Sequence, residues 1–161
     1  KDRVFRVIKI ADEVCRKLGI SKPKIAVAGL NPHAGENGMF GTEEIEEIIP
    51  AINKANELGI YADGPIPPDT VFSKLNGKLY DICVCMYHDQ GHIPTKLLGF
   101  RWDDTKQKWS SVSGVNITVG LPIIRVSVDH GTAFDIAGKG IASDESMVNA
   151  IYYAVEFAKH K

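Results

Sequence analysis

The sequence predicts an α/β fold. Short apolar runs of strand length alternate with amphipathic stretches of helical period along most of the chain, the pattern of a largely parallel or mixed sheet. The strongest runs, Ile25-Ala26-Val27-Ala28 and Ile82-Cys83-Val84-Cys85-Met86, lead directly into polar motifs rich in Gly, Pro and His. A strand ending this way delivers side chains to the rim of the sheet, where open α/β folds bind ligands. At 161 residues the chain is long enough for one domain with its own core.

The first element is a helix from about Asp2 to Leu18. Val4, Ile8, Ala11, Val14, Cys15 and Leu18 recur at helical spacing, and Gly19 stands where a left-handed residue stops a helix. Lys24 to Leu30 reads as a buried strand. Thr42 is placed to cap a second helix, with Glu43 and Glu44 favourable in its first turn. Ile45, Ile48, Ile49, Ile52 and Leu58 form its expected apolar face, and Pro50 is expected to kink or split it. The run from Gly64 to Thr70 reads as a stiff loop before a short helix through Phe72. Tyr80 to Met86 is the next strand. The polar stretch Arg101 to Gly114, with Trp102 and Trp109, reads as an inserted loop or short hairpin. Val115 to Val119 and Ile123 to Val128 are two further strands. Ser143 caps the last helix, whose expected buried stripe is Met147, Ile151, Ala154, Val155 and Ala158.

Bulk properties exclude several classes. A net charge of −1 leaves no basic footprint for nucleic acid or an anionic membrane surface. No apolar run is long enough to span a bilayer. Three cysteines make no disulfide framework, and Cys83 and Cys85, alternating along a strand, read as small core residues in a reducing cytoplasm. The chain opens at Lys1 already inside a helical pattern, which points to a fragment or a processed form.

His33 and His88 stand out as chemistry. Each follows a buried strand, in Gly29-Leu30-Asn31-Pro32-His33-Ala34-Gly35-Glu36 and in Met86-Tyr87-His88-Asp89-Gln90-Gly91-His92. Two imidazoles delivered to one rim suggest a divalent metal site. A catalytic metal usually keeps three protein ligands, so a third must come from Asp69, Asp89, His92, a partner chain or sequence outside this chain. Imidazole suits zinc, nickel, cobalt or iron, and a carboxylate in the shell would admit manganese or magnesium. Lys96, Asn116 and Arg125 together form a set that can bind an anionic substrate, with Lys a point charge and Arg a fork for carboxylate or phosphate. Arg125 interrupts the apolar strand Ile123-Ile124-Arg125-Val126, and a charge on a buried strand usually has a partner or a ligand. The glycine-rich segment Gly29 to Gly41 lacks the Gly-Lys-Ser/Thr ending of a P-loop and the dinucleotide fingerprint spacing. A third polar motif, Asp129 to Gly140, follows a strand directly; its backbone can read an adenine edge, and the plainer alternative is a glycine turn packed by Phe134 and Ile136.

Taken in order, five motifs closely resemble the PdxA family, the 4-hydroxythreonine-4-phosphate dehydrogenases. They are Leu30 to Glu36, Pro67-Pro68-Asp69-Thr70, Met86 to Gly91, Val115-Asn116-Ile117-Thr118-Val119-Gly120-Leu121-Pro122, and Asp129 to Gly140. The last also resembles the adenine-binding loop of isopropylmalate and isocitrate dehydrogenases. The resemblance implies their three-layer architecture, present here as the C-terminal half of a subunit. Residues 1 to about 100 would be the central dimer-forming region with the metal motifs, and about 115 to 161 the return to the NAD-binding domain.

The resemblance implies an NAD-dependent, metal-assisted oxidation of 4-hydroxythreonine 4-phosphate, with decarboxylation, in pyridoxal phosphate biosynthesis. His33 and His88 match two of three metal-binding histidines, the third lying in the family's N-terminal half. Lys96, Asn116 and Arg125 match substrate-binding positions, and Lys96 and Asp69 are the catalytic candidates. His130, Gly131, Thr132, Ala133 and Asp135 match the NAD-binding loop. The metal site is expected at a homodimer interface, in the cytoplasm. Two features, Gly91 to Phe100 and the Trp-bearing segment after it, look more like relatives that oxidise D-threonate or D-erythronate 4-phosphate in sugar-acid catabolism. Two rivals stand outside this class. One is a fragment without turnover that keeps the fold and dimer surface. The other is a metal-dependent hydrolase that needs no NAD and gives the Asp129 to Gly140 loop no role.

Overall fold

The computed structural model describes residues 1–99, 102–105, 108–109, 114–129 and 131–160. They form two compact units, Lys1–His92 and Ile93–Lys161. The first is built on a parallel sheet of three strands in the order β2-β1-β3: β1 (Ile25–Ala28), β2 (Ala62–Ile66) and β3 (Ile82–Val84). All four residues of β1 are buried, as a central strand covered on both faces requires. Ile25 and Val27 point to one side, into a core with Ile8 and Ala11 of helix α1 (Asp2–Lys17) and with Ala51, Ile52 and Ala55 of α2 (Ile49–Glu57). Ala26 and Ala28 point to the other, against Val71 and Phe72 of α3 (Pro68–Asn76). The unit is therefore three layers, helices on both faces of a sheet.

Helix α1 and its stop match the sequence reading, and Gly19 adopts φ +89° beyond its end. The second helix differs in phase. Residues Glu44–Ile48 form a π turn that runs into α2, and Pro50 sits in the first turn of α2, where a missing N–H costs little. The buried face is Glu44, Ile48, Ala51, Ile52 and Ala55, while Ile45, Ile49 and Leu58 are exposed. The expected apolar face was rotated by placing the hydrophobic Ile45 inward instead of the acid before it.

Strand β2 replaces part of the expected stiff loop. Its Gly64-Pro65 pair sits where the β1 register shifts between Ala26 and Ala28, the kind of irregularity at which a sheet tolerates proline. Gly64 has φ +148°, and a Cβ there would run into the Val27 carbonyl oxygen. Helix α4 (His88–Gly99) is a further addition. Its Gly91 and Pro94 argue for a loop by local preference, and its buried residue is Gln90.

In the second unit, the Trp-bearing segment contains an antiparallel pair, β4 (Trp102–Asp103) and β5 (Lys108–Trp109). Strands β6 (Val115–Thr118) and β7 (Arg125–Val128) form an antiparallel ribbon, and α5 (Glu145–Lys159) packs on it. The Ser143 hydroxyl accepts the Glu145 N–H at 3.4 Å, close to its expected capping role. The buried face of α5 is Ser146, Ala150 and Phe157, whereas Met147, Ile151 and Val155 of the expected stripe are exposed. Ser146 takes an inward position because its hydroxyl has two backbone partners, donating to the Gly114 carbonyl oxygen at 2.6 Å and accepting the Asp129 N–H at 3.2 Å.

Candidate active site

All three strands of the first unit run the same way, so their carboxyl ends share one rim. Three sequence-predicted residues lie on it. His33 follows β1, Asp69 lies in the first turn of α3 after β2, and His88 opens α4 after β3. Strands β1 and β3 are direct neighbours, with Val27 opposite Val84, so the two histidine segments start about 4.8 Å apart. Their separation from there depends on how each segment turns.

The segment after β1 turns in an unusual way. His33, Ala34, Gly35, Glu36 and Asn37 all have positive φ, between 42° and 82°, making a left-handed turn. For L-residues this conformation costs roughly 1–2 kcal/mol each and is normally adopted singly. A run of five must be held by its surroundings, and such strain gathers at ligand sites. At its entry lies Glu44, 1% exposed. One carboxylate oxygen accepts the N–H groups of Leu30 and Asn31 at 2.7 and 2.8 Å, and the other accepts the Asn31 side-chain amide at 2.9 Å. Burial pushes the Glu44 carboxyl up, but the hydrogen bonds from Asn31 and Leu30 outweigh it and hold the group below its ordinary value.

The segment after β3 is fastened by Gln90, 5% exposed. Its amide N–H donates to the Gly29 carbonyl oxygen at 2.8 Å and its oxygen accepts the Met86 N–H at 2.7 Å. One side chain thus ties the ends of β1 and β3 together. His88 itself is exposed. Its Nδ1 lies 2.8 Å from Asp89 Oδ1, and its ring stacks on His92 at 4.1 Å between centroids. A carboxylate on one ring nitrogen, with the other left to face a ligand, is the usual orientation of a metal-binding histidine. His33 is also exposed, with Phe40 at 6.0 Å beside its ring. The donor chemistry fits a divalent ion. Among the described residues no group of three His, Cys, Asp or Glu side chains gathers to hold one.

Sequence reasoning missed Glu44 and Gln90. Glu44 falls in phase with Ile48, Ala51, Ile52 and Ala55, so a helical wheel that admitted a buried acid would have found it. Gln90 carries no such signal, because its role depends on a helix that local preference argues against.

In the second unit, Lys96 donates to the Asp129 backbone oxygen at 2.7 Å, with an Asp129 carboxylate oxygen at 3.3 Å. Register pairs Asn116 with Ser127 and Thr118 with Arg125, so Asn116 and Arg125 share one face of the ribbon. Arg125 is exposed at the start of β7 and donates to the Thr118 hydroxyl at 2.6 Å. The premise of a charge on a buried strand is not met, since the strand begins at Arg125 and the apolar residues before it lie outside the ribbon. Gly131, Thr132, Ala133 and Asp135 form an exposed loop directly after β7, with a short helical turn at Phe134–Ile136; His130 lies outside the described residues. Phe134 is 82% exposed, so it does not pack the turn.

Cys15, Cys83 and Cys85 are free thiols. Hydrogen bonding with Cys85 and burial together push the Cys83 thiol up, which keeps it protonated beside the α3 face of the core. No helix among the described residues is long and apolar enough to cross a membrane.

Comparison with known proteins decides the family. The description "Pyridoxal phosphate biosynthetic protein PdxA" matches residues 1–154. This chain belongs to the PdxA family. A PdxA-family relative from Salmonella typhimurium, named D-threonate 4-phosphate dehydrogenase, is 54% identical over 156 residues, covering 97% of this chain and 44% of its own length. Another, from Beijerinckia indica and named 4-hydroxythreonine-4-phosphate dehydrogenase, is 53% identical over 150 residues, covering 93% and 41%. A crystal structure titled 4-hydroxythreonine-4-phosphate dehydrogenase, from Klebsiella pneumoniae, superposes with a TM-score of 0.79 at 52% identity, covering 98% of this chain and 44% of that one. The chain therefore spans less than half the length of these PdxA-family proteins. Each of these relatives is named a dehydrogenase.

Proposed function

We propose that this chain is part of an NAD-dependent, divalent-metal-assisted dehydrogenase of a phosphorylated four-carbon hydroxy acid, with D-threonate 4-phosphate the favoured substrate. The carrying observation is the shared rim, where neighbouring parallel strands of a PdxA-family chain deliver His33 and His88. The D-threonate name of the Salmonella relative and the Gly91 to Phe100 and Trp-bearing sequence features support the substrate. The Beijerinckia relative's name supports a second reading, 4-hydroxythreonine 4-phosphate in pyridoxal phosphate synthesis. The two substrates differ by a hydroxyl against an amine.

In this reading His33 and His88 hold the ion, with a third ligand from outside the chain. A bound divalent ion would supply Lewis-acid polarisation of the reacting hydroxyl, and bound NAD would supply the hydride acceptor. Asp89 fixes the orientation of the His88 ring. Asp69, exposed on the same rim, is the acidic catalytic candidate. Lys96 and Arg125 supply positive charge, and Asn116 hydrogen bonds, to the phosphate and carboxylate. Lys96, held against Asp129, serves as a fixed cation. The loop at Gly131 to Asp135 offers backbone groups to the adenosine of NAD, and His130, the residue before it in sequence, belongs to the same reading. Oxidation gives a β-keto acid that can lose carbon dioxide. The whole subunit is read as isopropylmalate dehydrogenase-like, homodimeric and cytoplasmic.

The test is NAD reduction by a family-length subunit containing this chain, with added divalent metal, on the two phosphorylated acids side by side. Preference for D-threonate 4-phosphate supports the favoured reading, and preference for the amino substrate supports the second. Turnover of neither, with metal still bound, would overturn both. Metal-dependent cleavage of a phosphorylated substrate without NAD would move the chain to a hydrolase.

A further inference from the structure

We propose that Glu44 is a positioning residue for His33: its buried carboxylate holds the left-handed turn that presents the imidazole, and through that turn it sets divalent-metal affinity. The inference rests on the reading of His33 as a metal ligand. Three independent observations lead to it.

The turn is costly in itself. The backbone hydrogen bonds at its margins, Ala34 N–H to Asn31, Met39 N–H to Glu36 and Phe40 N–H to Gly35, are each 3.2 Å, at the long limit for N–H···O bonds. Four of its five left-handed residues carry side chains, which that conformation disfavours.

Glu44 supplies what the turn lacks. It receives both backbone donors and the side-chain donor at the entry to the turn, from Leu30 and Asn31. Glu43 takes the Asn31 amide as well, at 2.7 Å, so Asn31 is held from two sides.

The carboxylate is also a steric template. A Cβ on Gly35 would lie 2.7 Å from one Glu44 oxygen, and one on Gly29 would lie 3.2 Å from the other and 3.0 Å from the Ala34 Cα. Strand end, turn and carboxylate are in mutual contact, with no side chain between them. A group that both bonds the entry and fills the inside of a strained turn fixes where the next side chain points. His33 is that side chain, two residues beyond Asn31.

The test is cobalt(II) titration of the subunit used for the dehydrogenase assay, reading affinity and the visible absorption of the bound ion. The variants are Glu44→Ala, Glu44→Gln, His33→Ala and the Glu44→Ala/His33→Ala double, each with its urea unfolding curve. Glu44→Ala is expected to weaken cobalt binding by about tenfold to a hundredfold and to alter the visible spectrum. Glu44→Gln keeps an oxygen for the two backbone N–H groups and is expected to fall between Glu44→Ala and the parent. The double variant is expected to bind no more weakly than His33→Ala alone, because Glu44 acts through that ring. Parent-like cobalt binding in Glu44→Ala, with His33→Ala impaired, would overturn the proposal while leaving the metal reading intact. Additive losses in the double variant would overturn it too, marking Glu44 as a general stabiliser. If Glu44→Ala does not fold, a Glu44→Gln protein with the parent's affinity and spectrum is the overturning result. Parent-like binding in His33→Ala overturns the metal reading and, with it, this inference.

Discussion

Gln90 and Gly29, 61 residues apart in sequence, are joined by a 2.8 Å hydrogen bond from the side-chain amide to the backbone carbonyl oxygen. The same amide group accepts the Met86 N–H. The bond closes the gap between two strand ends that each carry a histidine, so the geometry of the rim depends on a residue that touches neither ring. Gln90→Ala leaves two backbone groups unsatisfied in a buried place and is expected to cost about 1–3 kcal/mol per orphaned group. Gln90→Glu keeps the acceptor for Met86 but cannot donate to Gly29 when ionised, and should be at least as damaging at neutral pH. Urea unfolding measures both; unchanged midpoints would remove the clamp from the account.

Gly35→Ala is expected to destabilise the protein by roughly 2–5 kcal/mol, the sum of a left-handed alanine and an overpacked contact. The added methyl meets Glu44 on its inner side. Thermal unfolding checks this, and a variant as stable as the parent would mean that the turn is not held as described.

His33→Ala and His88→Ala remove exposed rings and should leave folding stability within about 0.5 kcal/mol, as surface substitutions do. Each is expected to lose metal. Unchanged metal content in both purified variants would end the assignment of this rim as a metal site.

Arg125→Ala separates a structural from a ligand-binding role. The guanidinium is exposed and bonded to Thr118 across the ribbon, so stability should change by no more than about 0.5 kcal/mol. Affinity for the phosphorylated substrate should fall, as measured by calorimetry on the family-length subunit. An unchanged affinity would take Arg125 out of the pocket.

Tyr80 donates its phenolic hydrogen to the Asp63 carboxylate, and that bond, then burial and the negative charge, push its pKa up to about 12 from 10.0. A pKa raised on folding contributes stability that is fully present below 10 and is lost as pH rises through about 12. Ultraviolet titration should show one tyrosine ionising late, and Tyr80→Phe should abolish that late step. A Tyr80→Phe titration matching the parent would assign the late step elsewhere.

Much of this molecule was legible in the chain itself. The four apolar residues of β1 admit no exposed face, so they specify a central strand. The period of α1 and the glycine after it specify a helix with one buried side. Short-range sterics and hydrophobic burial settle such elements, because the information lies within a few residues. The same motifs placed His33 and His88 after strands, and parallel pairing brought both to one rim; Asp69, read in a loop, joins them only because β2 forms and pairs parallel to β1.

Tertiary structure decided what local preference opposed or left open. Pro65 reads as a breaker, yet a bulge beside β1 admits it to a strand. Gly91 and Pro94 read as loop, yet α4 forms around them. Glu44 reads as a solvated acid at a helix start, yet four residues later begins the buried face to which it belongs. A carboxylate can enter a core only where donors already wait for it, and Leu30 and Asn31 supply them from 14 and 13 residues away. Five left-handed residues in a row have no local reason to exist. Non-local hydrogen bonds at their entry, together with Gly29 and Gly35, surround them with the Glu44 carboxylate, and that arrangement is visible only in the folded molecule.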